Sequence, residues 1–196
     1  MDWAQIALAW MAYGLLHSLL ASHGVKAWLM RCVPPLKHSY RLFFNGMALV
    51  LLLPPLWLTG QDVSPALWHW PLWLSWPALL LSVAGFAWSL RWYDGIEFLG
   101  LRHEVQPKMV LSPLHRYVRH PWYSLGLLLF WTRDLNAAWL VAGVAVSCYV
   151  AIGIYFEERK LLAELGEPYR RYRARVPALL PWPGRSLSAA EAQAWQ

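Results

Sequence analysis

Apolar residues run along this chain in long blocks separated by short polar breaks, and most blocks have the length of a membrane helix. A hydrocarbon core about 30 Å thick takes ~20 apolar residues in helical form. Trp3 to Ala21 is one such block, about Leu42 to Leu58 a second, and about Leu72 to Leu90 a third, with Pro77 in its first turns. The chain is apolar again from Pro121 to Trp131. At about 1.5 Å per residue that stretch falls short of the hydrocarbon thickness and predicts a short or tilted helix. After a turn-like break over Thr132-Arg133-Asp134-Leu135-Asn136, the run from Ala137 to Phe156 is full length. The pattern predicts five spans, the last two forming a helical hairpin.

Beyond the hairpin, Glu157 to Arg175 is strongly charged, with Leu161, Leu162, Leu165, Tyr169 and Tyr172 at roughly helical spacing. This predicts a cytoplasmic amphipathic helix interrupted near Gly166 and Pro168. The tail after Pro177 carries Pro181 and Pro183 and then a polar end, expected to be poorly ordered. No internal repeat is visible. The chain therefore reads as a single all-α membrane domain. It has three spans over 3–90, a loop over 91–120, the hairpin over 121–156, the charged helix over 157–181 and a tail over 182–196.

Composition strengthens the membrane reading. With 58% hydrophobic residues, 15 Trp and only 14% charged residues, the 196-residue chain is far more apolar than a soluble domain of its size tolerates. A net charge of +6 would suit nucleic acid, but the basic residues sit in loops and in the C-terminal region, where they signal topology instead. Lys26, Arg31, Lys37 and Arg41 follow the first span, and a second basic region runs from Arg91 to Arg119. The intervening segment with Trp68, Trp70, Trp73 and Trp76 has no Lys or Arg and reads as an aromatic belt on the opposite face. The N-terminus is expected outside and the C-terminus inside, in a multi-pass protein of the inner membrane. The first span lacks the basic leader and cleavage site of a signal peptide and is expected to stay. Cys32 and Cys148 fall in unlike surroundings and are not expected to pair.

Ionisable groups at the edge of a span are costly unless partnered, which makes them candidates for function. Two clusters stand out. In Arg116-Tyr117-Val118-Arg119-His120-Pro121-Trp122-Tyr123 a basic, aromatic loop feeds straight into a membrane helix. Pro121 suits the first helical turn, which puts His120 beside backbone N–H groups that favour a carboxylate. The second cluster, Glu157-Glu158, lies where the last span ends, and a carboxylate there can hold an ammonium group. Aromatic faces add an environment for a sulfonium or an adenine ring. These match the recognition needs of S-adenosylmethionine, although interfacial anchoring accounts for such clusters equally well. No Gly-rich strand-to-helix turn or alternating strand and helix pattern is present, so a soluble nucleotide-binding fold is excluded.

The segment RYVRHPWY at Arg116 to Tyr123, an apolar hairpin, and EERKLLAELGEPYRRYRARVPALLP at Glu157 to Pro181 together resemble the signature of the isoprenylcysteine carboxyl methyltransferase superfamily. The resemblance covers roughly the C-terminal 45% of the chain. It implies an integral membrane enzyme that uses S-adenosylmethionine. The implied cofactor contacts are Pro107, Lys108, Met109 and Val110 in the loop before the hairpin, then His120, Tyr123 and Glu157, with His115, Tyr117 and Pro121 beside them. The pocket would be closed by the loop from Arg102 to Tyr117 and by the C-terminal helix. Arg91, Trp92, Tyr93 and Glu97 lie just outside the third span, a position that serves equally to cap such a site or to anchor the span. Further forward, His17-Ser18, Ala21-Ser22, Lys26, Val33-Pro34 and Ser39-Tyr40 resemble the first part of bacterial methanethiol S-methyltransferases and of related short membrane proteins linked to nitrogen-oxide metabolism, and Ile152-Gly153-Ile154 resembles the thiol methyltransferase branch.

Three departures bear on substrate. Pro113 and His115 stand where the family usually has Gly and Tyr, which bears on the cofactor lid. Gly153 stands where the prenylcysteine enzymes carry an arginine that serves their substrate. A buried carboxylate without a countercharge is strongly disfavoured, so Gly153 points away from a carboxylate and towards a thiol or a small lipophilic acceptor. Arg119 and His17 are the residues expected to face that substrate and to act in catalysis. Methylation of an isoprenoid, phospholipid or prenylated peptide is the second reading, and a non-catalytic membrane accessory protein the third. Membrane lipid and a small substrate are the expected partners, and nucleic acid is not.

Overall fold

The computed structural model describes residues 2–92, 95 and 112–193. Among them the chain is helical, with α1 Trp3–Ala21, α2 His23–Cys32, α3 Leu36–Gly60, α4 Leu72–Ser89, α5 Pro121–Trp131, α6 Ala137–Leu165, α7 Glu167–Arg175 and α8 Ala189–Gln193. Short 3-10 turns cover Leu90–Trp92 and Pro113–Arg116. Among the described residues, four stretches are long and apolar enough to cross a membrane: Trp3–Ala21, Leu36–Gly60, Leu72–Trp92 and Ala137–Leu165. At most 22% of the residues in any of their apolar windows are buried inside the protein. So much outward apolar surface needs an apolar solvent, and the chain is a multi-pass membrane protein.

The described residues fall into two compact units. The first comprises 2–69 and 134–146. Here α1 packs on α3, and the Trp10 indole N–H donates to Thr59 Oγ1 at 3.0 Å, both groups being buried. A polar pair between apolar helices is worth roughly 0.6–2 kcal/mol in lipid. α2 was not foreseen. Ser22 caps it, its Oγ accepting from Val25 N, and the turn through Ser22 separates it from α1. Loop 61–69 is tied to the start of α6: Leu135 and Trp68 exchange backbone hydrogen bonds, and the Asn136 side chain donates to Asp62 O at 2.9 Å.

The second unit comprises 70–92, 112–133 and 147–193. α4 packs on α5, where Gly85 lets Leu125 approach closely; a Cβ at Gly85 would sit 2.8 Å from Leu125 Cδ1. The Trp122 indole N–H donates to Ser89 Oγ at 2.9 Å, joining the end of α4 to the start of α5.

Two expectations about the C-terminal region change. The helix does not restart at Glu157: α6 continues through the charged residues to Leu165, because Glu, Arg, Lys and Leu are good helix formers and nothing breaks the run before Gly166. Gly166, at φ 61° and ψ −133°, turns the chain into α7; that conformation is one only glycine adopts readily. The tail is not loose through residue 193. Tyr169, Tyr172, Val176 and Leu187 form a buried cluster against Leu161, Leu162 and Leu165. Leu187 is also tied to Arg116 twice: its N–H donates to Arg116 O, and its carbonyl accepts from the Arg116 side chain at Nε. Ser188 and Glu191 cap each other at the start of α8.

Candidate functional site

The site grows from the loop that leads into α5. The backbone N–H groups of Arg119 and His120 donate to Pro177 O and Ala178 O at 2.9 and 3.0 Å, which pins the loop to the segment after α7. Ser124 Oγ donates to Leu179 O at 2.6 Å and extends the same seam. Pro121 then starts α5 at the position where a missing N–H costs nothing. The first turn of α5 thereby holds the His120 and Tyr123 rings in a stack, with centroids 5.7 Å apart and planes at 22°.

Glu157 and Glu158 are adjacent on α6 and turn to different surroundings, since neighbouring helical side chains diverge by about 100°. The Glu158 side chain is 6% exposed and that of Glu157 47%. Glu158 Oε1 accepts from Arg119 Nε at 2.7 Å and lies 2.6 Å from Arg119 Nη2 and 3.1 Å from His120 Nε2. Glu158 Oε2 faces Arg173 Nε at 3.0 Å. Arg119 Nη1 donates to the carbonyls of Arg173 and Val176. A buried carboxylate is thus matched by two guanidinium groups, each charge-assisted bond being short, as ionised partners are. Burial, reinforced by the nearby Glu158 charge, pushes the Tyr169 phenol up to about 12.

Glu157 instead borders a cavity of about 180 Å³ lined by His115, Arg119, His120, Pro121, Trp122, Tyr123 and Glu157. His120 Nδ1 lies 3.7 Å from Glu157 Oε2. At the rim, His115 Nδ1 accepts from Ser112 N at 3.1 Å and lies 2.9 Å from Ser112 Oγ. The Tyr172 hydroxyl donates to His115 O at 2.8 Å. Burial, and secondarily the neighbouring His120, pulls the His115 imidazole down to about 4.

Of the residues singled out from sequence, His115, Arg119, His120, Pro121, Tyr123 and Glu157 are brought together around this cavity. Arg119 differs from expectation in one respect: its guanidinium is engaged by Glu158 and two carbonyls, which makes it a poor partner for a substrate. Tyr117 is outside the lining, half-exposed, with the Arg116 guanidinium 5.4 Å from its ring centroid. His17 belongs to the first unit, its ring centroid 4.9 Å from that of Phe44 and 5.7 Å from that of Tyr13. Pro107, Lys108, Met109, Val110, Tyr93 and Glu97 lie outside the described residues. Sequence reasoning missed Arg173 and the pairing of segment 177–179 with the loop before α5. Arg173 reads as one more charge of a solvated helix, and backbone pairing leaves no side-chain periodicity to find.

Membrane-length helices together with a basic, acidic and aromatic cavity where an apolar helix turns polar define a class: a multi-pass membrane protein with a polar cavity at the end of a span. Comparison with known proteins makes this specific. A methanethiol S-methyltransferase of Mycobacterium tuberculosis is 33% identical over 192 residues, covering 88% of this chain and 75% of that protein. Another, from Crocosphaera subtropica, is 30% identical over 191 residues, covering 88% and 72%. Methanethiol S-methyltransferase 2 of Bradyrhizobium diazoefficiens is 30% identical, covering 86% and 69%. No family model and no solved structure matches the chain. The chain belongs to the methanethiol S-methyltransferase family, and it is a membrane methyltransferase.

Proposed function

We propose that the protein transfers a methyl group from S-adenosylmethionine to a small thiol of the methanethiol kind, with the cofactor's amino-acid end in the cavity beside Glu157. The observation that carries this is the grouping of a half-exposed Glu157 with His120 and Tyr123 around one opening, while the neighbouring Glu158 is buried and matched by two guanidinium groups. Glu157 suits an ammonium group, the first-turn N–H groups of α5 suit a carboxylate, and the Tyr123 ring suits a sulfonium. A whole small-molecule site usually spans about 300–1,000 Å³. The cavity of about 180 Å³ is the size for one end of such a ligand.

When bound, S-adenosylmethionine supplies an electrophilic methyl carbon on a sulfonium. What the protein does is orient and exclude water, which suffices for an in-line displacement by a nucleophile as strong as a thiolate. The thiol proton leaves to solvent, the new sulfur–methyl bond forms, and the old one breaks to leave S-adenosylhomocysteine. A thiol acceptor is favoured over a carboxylate because Arg119 is occupied and no side chain stands at Gly153, one turn before Glu157; a Cβ there would meet nothing within 4 Å. In this reading α5 is a fifth, short or tilted crossing of the inner membrane, and α7 a cytoplasmic amphipathic helix. The chain acts as a single functional domain, with the cavity facing the cytoplasm.

The test is calorimetric titration of detergent-purified protein with S-adenosylmethionine. Native protein should bind, and Glu157→Ala should weaken binding about tenfold to a hundredfold, the loss of one charge-assisted bond. Release of S-adenosylhomocysteine with methanethiol, and not with a prenylcysteine, is the expected turnover. Absence of binding by native protein overturns the reading.

A further inference from the structure

Glu158, the buried partner of Arg119 and Arg173, also touches the ring that faces the cavity. His120 has two nitrogens in two settings: Nε2 lies 3.1 Å from Glu158 Oε1, and Nδ1 lies 3.7 Å from Glu157 Oε2. A carboxylate that faces two guanidinium groups is an acceptor only, so a hydrogen bond between Oε1 and Nε2 requires the hydrogen on Nε2. In the neutral ring the other nitrogen is then an acceptor. This is the arrangement by which a carboxylate behind an imidazole fixes its tautomer and its orientation.

We propose that Glu158 is a positioning residue that holds His120 as the Nε2–H tautomer, so that His120 Nδ1 and Glu157 Oε2 form a two-point acceptor for the α-ammonium group of the methyl donor. The inference rests on the methyl-donor reading above and deepens it. At 3.7 Å the two acceptors are beyond hydrogen-bonding distance of each other and gain nothing from their proximity. An ammonium group, with three N–H donors, satisfies both at once. The Tyr123 ring stacked on His120 keeps Nδ1 from turning away, and the peptide pairing of Arg119 and His120 with Pro177 and Ala178 fixes the backbone behind it. The adjacent acids thereby divide the work: one contacts the ligand, the other sets the chemistry of the histidine beside it.

The experiment compares S-adenosylhomocysteine with its desamino analogue, in which hydrogen replaces the α-amino group, on full-length protein in detergent. Native protein should prefer the amino form by about tenfold to a hundredfold. His120→Asn keeps an acceptor at the δ position and should retain most of that preference. His120→Gln, which keeps only the ε-side donor towards Glu158, should bring the ratio towards one. In 15N-histidine-labelled native protein, the His120 signals should report a protonated Nε2 and a bare Nδ1. Glu158→Gln, whose carboxamide donates as well as accepts, should let the other tautomer appear. Equal loss of preference in His120→Asn and His120→Gln, a proton on Nδ1 in the native protein, or a spectrum unchanged by Glu158→Gln would each overturn the proposal. Native protein that binds neither probe fails at the earlier step and strikes the methyl-donor reading itself.

Discussion

Helix α6 carries a polar cluster at each end of its apolar run, and the two are built on opposite terms. At the N-terminal end, Asn136 Oδ1 accepts from Trp139 N at 3.0 Å while its amide donates to Asp62 O, and Asp62 Oδ2 lies 3.3 Å from Ala138 N. His69 and Asp134 pair at 2.8 Å on the surface. The polar atoms there are taken up by neighbouring backbone, as a helix start and a tight loop demand. At the C-terminal end, Glu158 is taken up by side chains, the Arg119 and Arg173 guanidinium groups and the His120 ring, while Glu157 borders a cavity. The difference is between polar groups consumed in holding the fold and a half-exposed carboxylate that opens onto a cavity.

The largest test of this contrast removes the satisfied acid. Glu158→Ala leaves Arg119, whose side chain is 9% exposed, without its carboxylate. Breaking one side of a buried pair costs about 3–5 kcal/mol. Denaturant unfolding in detergent should show that loss, in contrast to Glu157→Ala, whose side chain is half-exposed and whose removal should weaken ligand binding with little effect on unfolding. Equal stability losses in the two variants would break the distinction.

A smaller effect comes from His115 at the cavity rim. Burial, with His120 as the second cause, lowers its pKa from 6.5 to about 4. Between those values the unfolded chain takes up a proton that the folded chain refuses. The stability this neutral ring contributes is present in full above pH 6.5 and is lost progressively as pH falls towards about 4. His115→Asn keeps an acceptor for Ser112 N and removes the titration. The gap in melting temperature between native and variant should therefore shift against the native protein across that window, and a constant gap would contradict the burial.

How much of this was legible in the sequence depends on which kind of order held each part. Membrane residence and the main helices were, because ~20-residue apolar blocks and loop charge are written along the chain. The juxtaposition of the His120 and Glu157 segments was legible only through family resemblance, since nothing local brings residues almost forty apart into contact. Which of two adjacent glutamates turns inward was not legible: periodicity orients a helix only when one face is apolar, and Glu157 and Glu158 are equally polar. Val176 and Leu187 were hidden for another reason. They sit in a Pro-rich segment held by single backbone bonds to Arg116, Arg119 and His120, which gives no repeating signal. α2 was hidden by the basic residues that mark its loop.

At the N-terminal end of α6 the expected effects are smaller. Asn136→Ala removes a cap and a loop tie together and should cost about 1–2 kcal/mol, read as a lower melting temperature with ligand affinity unchanged.

The smallest effect belongs to the pair that looks most like a site. His69 and Asp134 form the shortest ion pair in the first unit's described loops, yet their side chains are 70% and 57% exposed. In water, two exposed partners gain little from each other, because each gives up solvation and side-chain freedom to meet. The loop is held instead by the Trp68–Leu135 backbone exchange and by Asn136 on Asp62. His69→Ala should thus change stability by less than about 0.5 kcal/mol and leave binding and turnover as they are. A loss comparable to that of Asn136→Ala would mean that this end of α6 depends on an exposed charge pair, and the contrast between a satisfied end and a functional one would need a different basis than burial.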